Sequence, residues 1–216
     1  MTTATPIVSV VDDDPSVRQA LERLLRAAGL NVACFSSAQS FLDSYDPTIS
    51  GCVVLDLEMP GLGGLDLQDL LRTTGNPPKI VFLTGRAEVP DGVRAMKFGA
   101  VEFLTKPVND RTLLDAIHTA LELDRTDRSR QASLGEIRRR MGTLTPREMD
   151  VFAHVIVGKL NKQIAGSLGT VEKTVKVHRA RVMAKMQADS LAHLVQFAVS
   201  LGMTPAFEFL PASDTK

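Results

Sequence analysis

The first half of the chain alternates short apolar runs with segments in which apolar residues recur at helical spacing. The runs have the length and composition of strands that are buried on both faces of a parallel sheet. They lie at residues 7–11, 32–35, 52–55, 80–84 and 101–104. Because one amphipathic segment follows each run, we expect five strands alternating with five helices. This pattern predicts an α/β fold with a doubly wound, five-stranded parallel sheet.

The second half of the chain shows only helical periodicity. Thr145, Pro146 and Glu148 have the spacing of a capping box with proline at the first helical position, so a helix should begin there. Further helices are predicted over residues 161–168, 171–186 and about 190–199. Two short helices separated by a few residues around a glycine form the helix-turn-helix pattern. We therefore predict a small all-α domain of four helices.

A charged segment joins the two halves. Residues 123–142 contain few large apolar residues, but those that are present keep helical spacing. We interpret this segment as a helical linker that continues from the fifth helix and is interrupted near residues 133–135; a flexible tether is the alternative. The predicted organisation is a first domain over residues 1–122, the linker over 123–142, the helical domain over 143–204 and a tail over 205–216.

Charge is distributed unevenly along the chain, although the net charge is zero. Residues 1–122 contain 16 acidic and 10 basic residues, whereas the remainder contains 9 acidic and 15 basic residues. A basic second half indicates a polyanionic partner. The longest apolar runs are far shorter than the roughly 18 residues of a membrane span, and the N-terminus lacks a signal-peptide pattern. We therefore expect a cytoplasmic protein without a membrane partner.

Polar side chains follow the predicted strands at the point where each strand ends. A single aspartate in this position is more often the cap of the next helix. Here, however, three carboxylates, a hydroxyl and an ammonium group would meet at one edge of the sheet, and helix capping does not account for a lysine. The residues are Asp12, Asp13, Asp56, Thr84 and Lys106. Crowded carboxylates need a cation such as Mg²⁺ or Mn²⁺, so the set predicts a phosphoryl-transfer centre with a carboxylate acceptor.

These residues lie in motifs that resemble the receiver domains of two-component response regulators. The motifs are Val11-Asp12-Asp13-Asp14, Leu55-Asp56-Leu57-Glu58-Met59-Pro60-Gly61, Leu83-Thr84-Gly85 and Leu104-Thr105-Lys106-Pro107. Four motifs in this order are very specific, and the match covers roughly residues 6–122. Residues 95–104 are similar to the FixJ-type branch of the family. The resemblance implies a flavodoxin-like fold for this domain.

The resemblance implies roles for the residues of the acidic cluster. Asp56 would accept the phosphoryl group. Asp13, Asp56 and the backbone carbonyl of Glu58 would bind Mg²⁺, and Asp12 would act largely through water. We further predict that Glu58 and Arg86 lie at the mouth of the cleft. A pair between them would impede attacking water and slow the loss of the phosphoryl group.

The resemblance also implies a switch. Thr84 and Lys106 would bind phosphoryl oxygens, and the peptide bond between Lys106 and Pro107 would be cis. Phe103 corresponds to an aromatic residue that turns inward when Thr84 moves. The alternative for Phe103 is an ordinary position in the core.

The helix predicted over residues 171–186 separates an apolar face from a face of small and basic side chains. Such a face suits the major groove of DNA, because lysine reaches phosphates or guanine edges and a valine methyl group can meet a thymine methyl group. The predicted DNA-contacting residues are Lys173, Thr174, Lys176, Val177, Arg179, Ala180, Arg181 and Lys185. His178 falls near the apolar edge and is interpreted as structural.

Residues 144–199 resemble the LuxR-type helix-turn-helix output domain. The motifs are Leu144-Thr145-Pro146-Arg147-Glu148, Asn161-Lys162-Gln163-Ile164-Ala165 and Thr174-Val175-Lys176-Val177-His178-Arg179. Both resemblances together imply a FixJ-type regulator that a sensor histidine kinase phosphorylates, that forms a homodimer and that binds double-stranded promoter DNA. RNA polymerase is a further candidate partner. Apart from self-phosphotransfer and slow self-dephosphorylation at Asp56, no enzyme activity is implied.

Two other functions agree with parts of the sequence. The acidic cluster would also suit a phosphatase with an aspartate nucleophile, or a phosphotransfer protein whose basic domain binds something other than DNA. A phosphatase would need a second positioned carboxylate that acts as general acid close to the nucleophile. It would also need a substrate pocket, and no substrate pocket or cap domain is apparent in so short a chain. The basic domain would also suit a protein or RNA partner, but the small side chains of the 171–186 helix favour duplex DNA.

Overall fold

The computed structural model describes residues 5–85 and 88–203. Two compact units span Met1–Ser129 and Arg130–Lys216. Arg86 and the tail over residues 205–216 lie outside the described residues. Each unit has its own apolar core and is described separately.

The first unit contains a five-stranded sheet. Its strands are β1 (Ile7–Val11), β2 (Asn31–Phe35), β3 (Gly51–Leu55), β4 (Lys79–Thr84) and β5 (Glu102–Thr105). The helices that begin in this unit are α1 (Pro15–Ala27), α2 (Ala38–Leu42), α3 (Gly64–Arg72), α4 (Val89–Lys97) and α5 (Asp110–Met141). All neighbouring strands are parallel, in the order β2-β1-β3-β4-β5. The predicted doubly wound sheet is confirmed.

β3 lies in the middle of the sheet, and all five of its residues are buried. Val53 and Leu55 belong to one apolar cluster, whereas Cys52 and Val54 belong to another. Successive side chains of a strand point to opposite faces, so both faces of β3 are covered. This double burial explains why the strand is apolar without interruption.

α5 is one uninterrupted helix of 32 residues, so the predicted break near residues 133–135 is wrong. Gly135 costs a helix roughly 1 kcal/mol relative to alanine, but ion pairs one helical turn apart help to offset that cost. The pairs are Glu122–Arg125, Asp124–Arg128 and Glu136–Arg139. Among the described residues, no helix is long and apolar enough to cross a membrane.

The first residues of the predicted linker pack as part of the first unit. Asp124 is buried, and its carboxylate accepts a hydrogen bond from the Ser50 hydroxyl at 2.6 Å. Arg128 donates to the same carboxylate at 2.9 Å and to the backbone carbonyl of Ile49 at 2.6 Å. These bonds tie residues 124–128 to the loop before β3. The compact unit therefore extends past residue 122.

Among its described residues, the second unit has four helices that follow α5, as predicted. They are α6 (Pro146–Ile156), α7 (Asn161–Leu168), α8 (Glu172–Met186) and α9 (Leu191–Ser200). Phe152, Ile164, Val182 and Leu194 come one from each helix, are fully buried and belong to one apolar cluster. α7 ends at Gly169, whose φ of 62° lies in the left-handed region that glycine adopts without strain. The resulting turn makes α7 and α8 a helix-turn-helix pair.

Glu148 connects the start of α6 to α8. Its carboxylate accepts hydrogen bonds from the Lys185 ammonium at 2.6 Å and from the Thr145 backbone N–H at 2.9 Å, and the second bond confirms the predicted capping box. The Lys185 bond and then the Thr145 N–H lower the pKa of Glu148 from 4.5 to about 2. Because the side chain is buried, its charge must be paired in the folded domain.

We expect Glu148→Gln to lower the stability of the second unit at neutral pH. The substitution should also make that stability depend less on pH in the acidic range. Folding lowers the pKa of this carboxyl, so its contribution is complete above about pH 4.5 and is lost as the pH falls toward 2. The difference in Tm between wild type and Glu148→Gln should therefore shrink between pH 4.5 and pH 2. Thermal unfolding of the whole chain, followed by circular dichroism, measures it.

Glu136→Gln provides the matched control for this measurement. Glu136 pairs with Arg139 and Arg140 at 2.8 Å, but its side chain is 40% exposed. Surface ion pairs contribute little to stability because water screens them. A loss of Tm as large for Glu136→Gln as for Glu148→Gln would contradict the prediction.

Candidate phosphoryl-acceptor site and DNA-binding face

The register of the sheet brings three carboxylates together at one edge. In the β1–β3 pair, Val11 lies opposite Leu55, so Asp12 and Asp56 follow at adjacent positions. One carboxylate oxygen from each of Asp12, Asp13 and Asp56 lies within 4.8 Å of the other two. Asp12 and Asp56 are buried, whereas Asp13 is exposed. The cluster therefore has two fixed members inside the cleft and one member at its surface.

Lys106 places a positive charge against this cluster. Its ammonium nitrogen lies 2.6 Å from Asp12 Oδ2 and 3.1 Å from Asp56 Oδ2. The Lys106 backbone N–H donates to the Thr84 carbonyl at 2.7 Å, which holds the lysine beside the end of β4. The peptide bond between Lys106 and Pro107 is cis, as the resemblance implied.

Backbone N–H groups orient the two buried carboxylates. The Asp14 N–H donates to Asp12 Oδ1 at 2.9 Å, and the Leu57 N–H donates to Asp56 Oδ1 at 2.7 Å. The other oxygen of each carboxylate contacts Lys106. Each side chain is thus held by one neutral and one charged donor, which fixes the direction in which Asp56 presents its oxygens.

Burial and charge act in opposite directions at this site. Burial raises the pKa of the Asp56 carboxyl, and the nearby Lys106 ammonium opposes that shift only in part. Burial also lowers the pKa of Lys106, but the hydrogen bonds and negative charges of Asp12 and Asp56 outweigh burial and raise this pKa overall. Lys106 therefore stays charged, while the charge of Asp56 is incompletely compensated. A further cation would remove that imbalance.

The three carboxylates fit a hard divalent cation. Mg²⁺ binds oxygen ligands at roughly 2.1 Å in an octahedral arrangement, so ligands on opposite sides lie roughly 4.2 Å apart. The three ligand oxygens all lie within 4.8 Å of one another, so the cluster is compact enough to approach this arrangement. Lys106 already places a cation against Asp12 and Asp56, so these oxygens attract positive charge. The exposed Asp13 leaves one side of the site open to the waters that Mg²⁺ retains.

The remaining predicted residues of the cleft lie at different depths. Thr84 is the last residue of β4 and is only 1% exposed. Phe103 in β5 is partly buried, and its ring centroid lies 6.0 Å from that of Phe82. Glu58 is exposed. Because Arg86 lies outside the described residues, its pairing with Glu58 stays a prediction.

Gly64 is a residue of this site that the sequence pattern did not single out. It begins α3, and its N–H donates to the Leu57 carbonyl at 2.9 Å. A Cβ atom at this position would lie 2.3 Å from the backbone oxygen of Asp56 and 3.1 Å from the Phe82 ring. α3 can therefore approach the Asp56 backbone only because residue 64 has no side chain. The one signal in the sequence is the Gly63-Gly64 pair ahead of an amphipathic helix.

α8 turns a small and basic face away from the core of the second unit. Val175, Val182 and Met186 are buried in the apolar cluster. The predicted DNA-contacting residues that are exposed are Lys173, Lys176, Val177, Ala180 and Arg181, and those that are partly buried are Thr174, Arg179 and Lys185. The residue predicted to begin the helix, Val171, is instead its N-cap and is 65% exposed.

Two basic residues of α8 form hydrogen bonds within the second unit. Arg179 donates to the Asn161 side-chain oxygen at 3.2 Å, which links α8 to α7. Lys185 donates to the Thr143 carbonyl at 2.9 Å and to Glu148 at 2.6 Å. These bonds hold the Lys185 ammonium within the second unit, and its contact with DNA stays a prediction. Its charge is needed by a buried carboxylate, which would otherwise be unpaired.

Both halves of the chain match known protein families. Residues 8–118 match the response regulator receiver domain, and residues 142–198 match the bacterial regulatory proteins of the LuxR family. The two matches follow each other in the same order as the two compact units. They imply a kinase and DNA as partners.

Individual regulators are similar to the chain over most of its length. The chain is 46% identical to Nodulation protein W of Bradyrhizobium diazoefficiens over 92% of this chain and 87% of that protein. It is 41% identical to Transcriptional regulatory protein FixJ of the same organism, over 91% and 96% of the two chains. The solved structure of the response regulator StyR superimposes with a TM-score of 0.83 at 45% identity, over 91% and 99% of the two chains. The chain therefore belongs to the FixJ-type response regulators, and it is a phosphorylation-controlled, DNA-binding regulator of transcription.

Proposed function

We propose that Asp56 accepts the phosphoryl group and that a sensor histidine kinase supplies it. The observation that carries this proposal is the cluster of Asp12, Asp13 and Asp56, with the Lys106 ammonium against two of its members. Asp56 follows the central strand, and its carboxylate is held by the Leu57 N–H. A buried, oriented carboxylate next to an ammonium group is suited to attack phosphorus.

The transfer exchanges one bond for another. A carboxylate oxygen of Asp56 attacks the phosphorus of a phosphohistidine, a P–O bond forms as the P–N bond breaks, and the released imidazole takes a proton from water. Lys106 moves from the Asp56 carboxylate to a phosphoryl oxygen, and the Thr84 hydroxyl donates to another. Both groups stabilise negative charge on the transferred group.

The acidic residues would hold Mg²⁺ or Mn²⁺ during this transfer. Asp13, Asp56 and the backbone carbonyl of Glu58 would be its ligands, and Asp12 would act largely through water. The bound cation supplies positive charge that balances the carboxylates and the phosphoryl oxygens. Asp12 also keeps Lys106 close to the acceptor through its 2.6 Å contact.

Movement of Thr84 and Phe103 would carry the change to a dimer surface. We place this surface on the face that includes α4, β5 and α5, over residues 87–98, 101–104 and 108–121. Three apolar side chains of α4 support the choice, since Val89, Val93 and Met96 are 81%, 48% and 45% exposed. Exposed apolar groups on one helix favour a protein partner. The phosphorylated form would then be a homodimer.

Two copies of α8 in one dimer would bind the major groove of double-stranded promoter DNA. Lys173, Lys176 and Val177 are exposed on the face that would meet the bases, and Arg179 and Arg181 would contact phosphates. Joining two weakly binding domains raises the affinity of the pair without any new contact. RNA polymerase would be a further partner at the promoter, and the cytoplasm would be the site of action.

Treatment of the whole chain with acetyl phosphate tests the proposal. With Mg²⁺, we expect one phosphoryl group per chain by intact-mass spectrometry, and a shift from monomer to dimer by light scattering. Removal of Mg²⁺ with EDTA should prevent both changes. A dimer that forms without donor or Mg²⁺ would contradict the proposed switch. Multiple turnovers of phosphate esters would instead favour the phosphatase.

A further inference from the structure

A polar cavity of about 190 Å³ lies beside α8 in the second unit. Its polar groups come from three elements: Arg147 at the start of α6, Thr170 in the turn before α8, and Thr174 and His178 on α8. Val151 belongs to its apolar lining. None of these residues except Thr174 was among the predicted DNA contacts. The cavity therefore presents hydrogen-bonding groups that, apart from Thr174, the predicted DNA contacts do not include.

The cavity adjoins the face of α8 that we assign to the major groove. Thr174 and His178 are four residues apart, so they lie one above the other on the same side of the helix. At 100° per residue, this side falls between the buried stripe of Val175 and Val182 and the exposed stripe of Lys173 and Val177. When a helix lies in the major groove, the DNA backbone runs along both of its flanks. A backbone phosphate would therefore lie next to the side of α8 that carries Thr174 and His178.

His178 has a nitrogen that lacks a partner in the folded domain. Nδ1 is buried and makes no hydrogen bond with any described residue, whereas the residue as a whole is only partly buried. A buried N–H without an acceptor is unfavourable, so the neutral ring should carry its proton on the other nitrogen, Nε2. Nε2 is then a donor, as an anion in the cavity would require.

Arg147 supplies a positively charged side chain to the lining of the cavity. Arg147 has a side chain that is 69% exposed, and its only ion pair among the described residues is a surface contact of 3.5 Å with Asp150. The adjacent carboxylate, Glu148, is already neutralised by Lys185 and the capping hydrogen bond. Because the contact of Arg147 with Asp150 is long and exposed to solvent, the guanidinium is available to an incoming anion.

We propose that this cavity binds one backbone phosphate of duplex DNA. Arg147 supplies the charge, the hydroxyls of Thr170 and Thr174 donate hydrogen bonds, and His178 donates from Nε2. The contact fixes the position of α8 along the groove and carries no base information. The inference rests on the proposed DNA-binding function and adds Arg147, Thr170 and His178 to the residues that perform it.

The salt dependence of DNA binding tests the proposal. The logarithm of the DNA-binding constant falls linearly with the logarithm of the salt concentration. If the protein neutralises one phosphate fewer, the magnitude of this slope is smaller by about 0.9. We expect Arg147→Ala to reduce the slope by that amount and to weaken binding about tenfold, equally for specific and unrelated duplexes. The measurement uses the phosphorylated whole chain and fluorescence anisotropy over a series of salt concentrations.

Arg139→Ala is the matched control. Arg139 and Arg147 have side chains that are 67% and 69% exposed, and each pairs with a carboxylate three residues away. We expect Arg139→Ala to leave slope and affinity unchanged. His178→Gln, which keeps a donor near the position of Nε2, should retain the wild-type slope.

Two outcomes separate this inference from the proposed function. If wild type binds duplex DNA and loses affinity on Lys176→Ala, but Arg147→Ala keeps the wild-type slope, the phosphate site is overturned and DNA binding stands. If wild type binds no duplex at any salt concentration, the DNA-binding assignment of α8 and the phosphate site fail together. A neutral methylphosphonate at the contacted position should weaken wild type but cause no further loss in Arg147→Ala.

Discussion

Asp56→Asn is expected to abolish phosphorylation completely and, with it, the phosphorylation-dependent gain in dimerisation and DNA affinity. Asparagine keeps the shape of the side chain but removes the nucleophilic oxygen pair. The folded receiver should survive the change. Burial raises the pKa of Asp56, so the charged form is disfavoured in the fold, and a neutral side chain removes that unfavourable contribution. Intact-mass spectrometry after treatment with acetyl phosphate and Mg²⁺ measures the loss, and thermal unfolding without Mg²⁺ should show no fall in Tm.

Asp14→Asn serves as the matched control for this experiment. Asp14 is also close to the strand end, but its carboxylate caps α1 by accepting from the Ser16 N–H at 2.7 Å. Asparagine is as good an N-cap as aspartate, so the helix should be retained. Normal labelling of Asp14→Asn together with none of Asp56→Asn would identify the acceptor. Undiminished labelling of Asp56→Asn would show that another residue accepts the phosphoryl group.

Gly64→Ala is expected to damage both the stability and the reactivity of the receiver. The new Cβ would lie 2.3 Å from the Asp56 backbone oxygen and 3.0 Å from Leu57 Cα, and neither atom can move without shifting the end of β3. Overpacking of this kind costs about 1–3 kcal/mol. A displacement of the acceptor by about 1 Å would slow phosphoryl transfer by up to about 100-fold. Denaturant unfolding and the rate of labelling by acetyl phosphate measure the two effects.

Gly75→Ala is the control, because a Cβ atom there would have no neighbour within 4 Å among the described residues. It should leave the labelling rate unchanged and leave stability equal or slightly higher, since alanine reduces the freedom of the unfolded chain. Wild-type stability and rate in Gly64→Ala would show that α3 adjusts without disturbing Asp56. A slower rate in Gly75→Ala would point to a general effect of replacing glycine.

Much of the fold was predictable because burial within an element follows a short sequence period. β3 is apolar throughout because it is covered on both faces, and this can be read from five consecutive residues. The acidic cluster was predictable for a related reason. Parallel strands end at the same edge of a sheet, so polar residues directly after them meet without any knowledge of the packing. Asp12 and Asp56 lie side by side once Val11 is opposite Leu55.

The sequence by itself determined the order of elements, the sheet, the carboxylate cluster and the apolar face of α8. Only the tertiary structure decided the partners of individual charged groups and the close approach of α3 to Asp56. Lys185 has the positive charge expected of a residue that contacts DNA. In the folded unit, its ammonium group donates a hydrogen bond to Glu148, 37 residues away. α5 likewise runs on without a break, and Asp124 holds it to the loop before β3. Such contacts join residues that are distant in the sequence, and periodicity within one element carries no information about them.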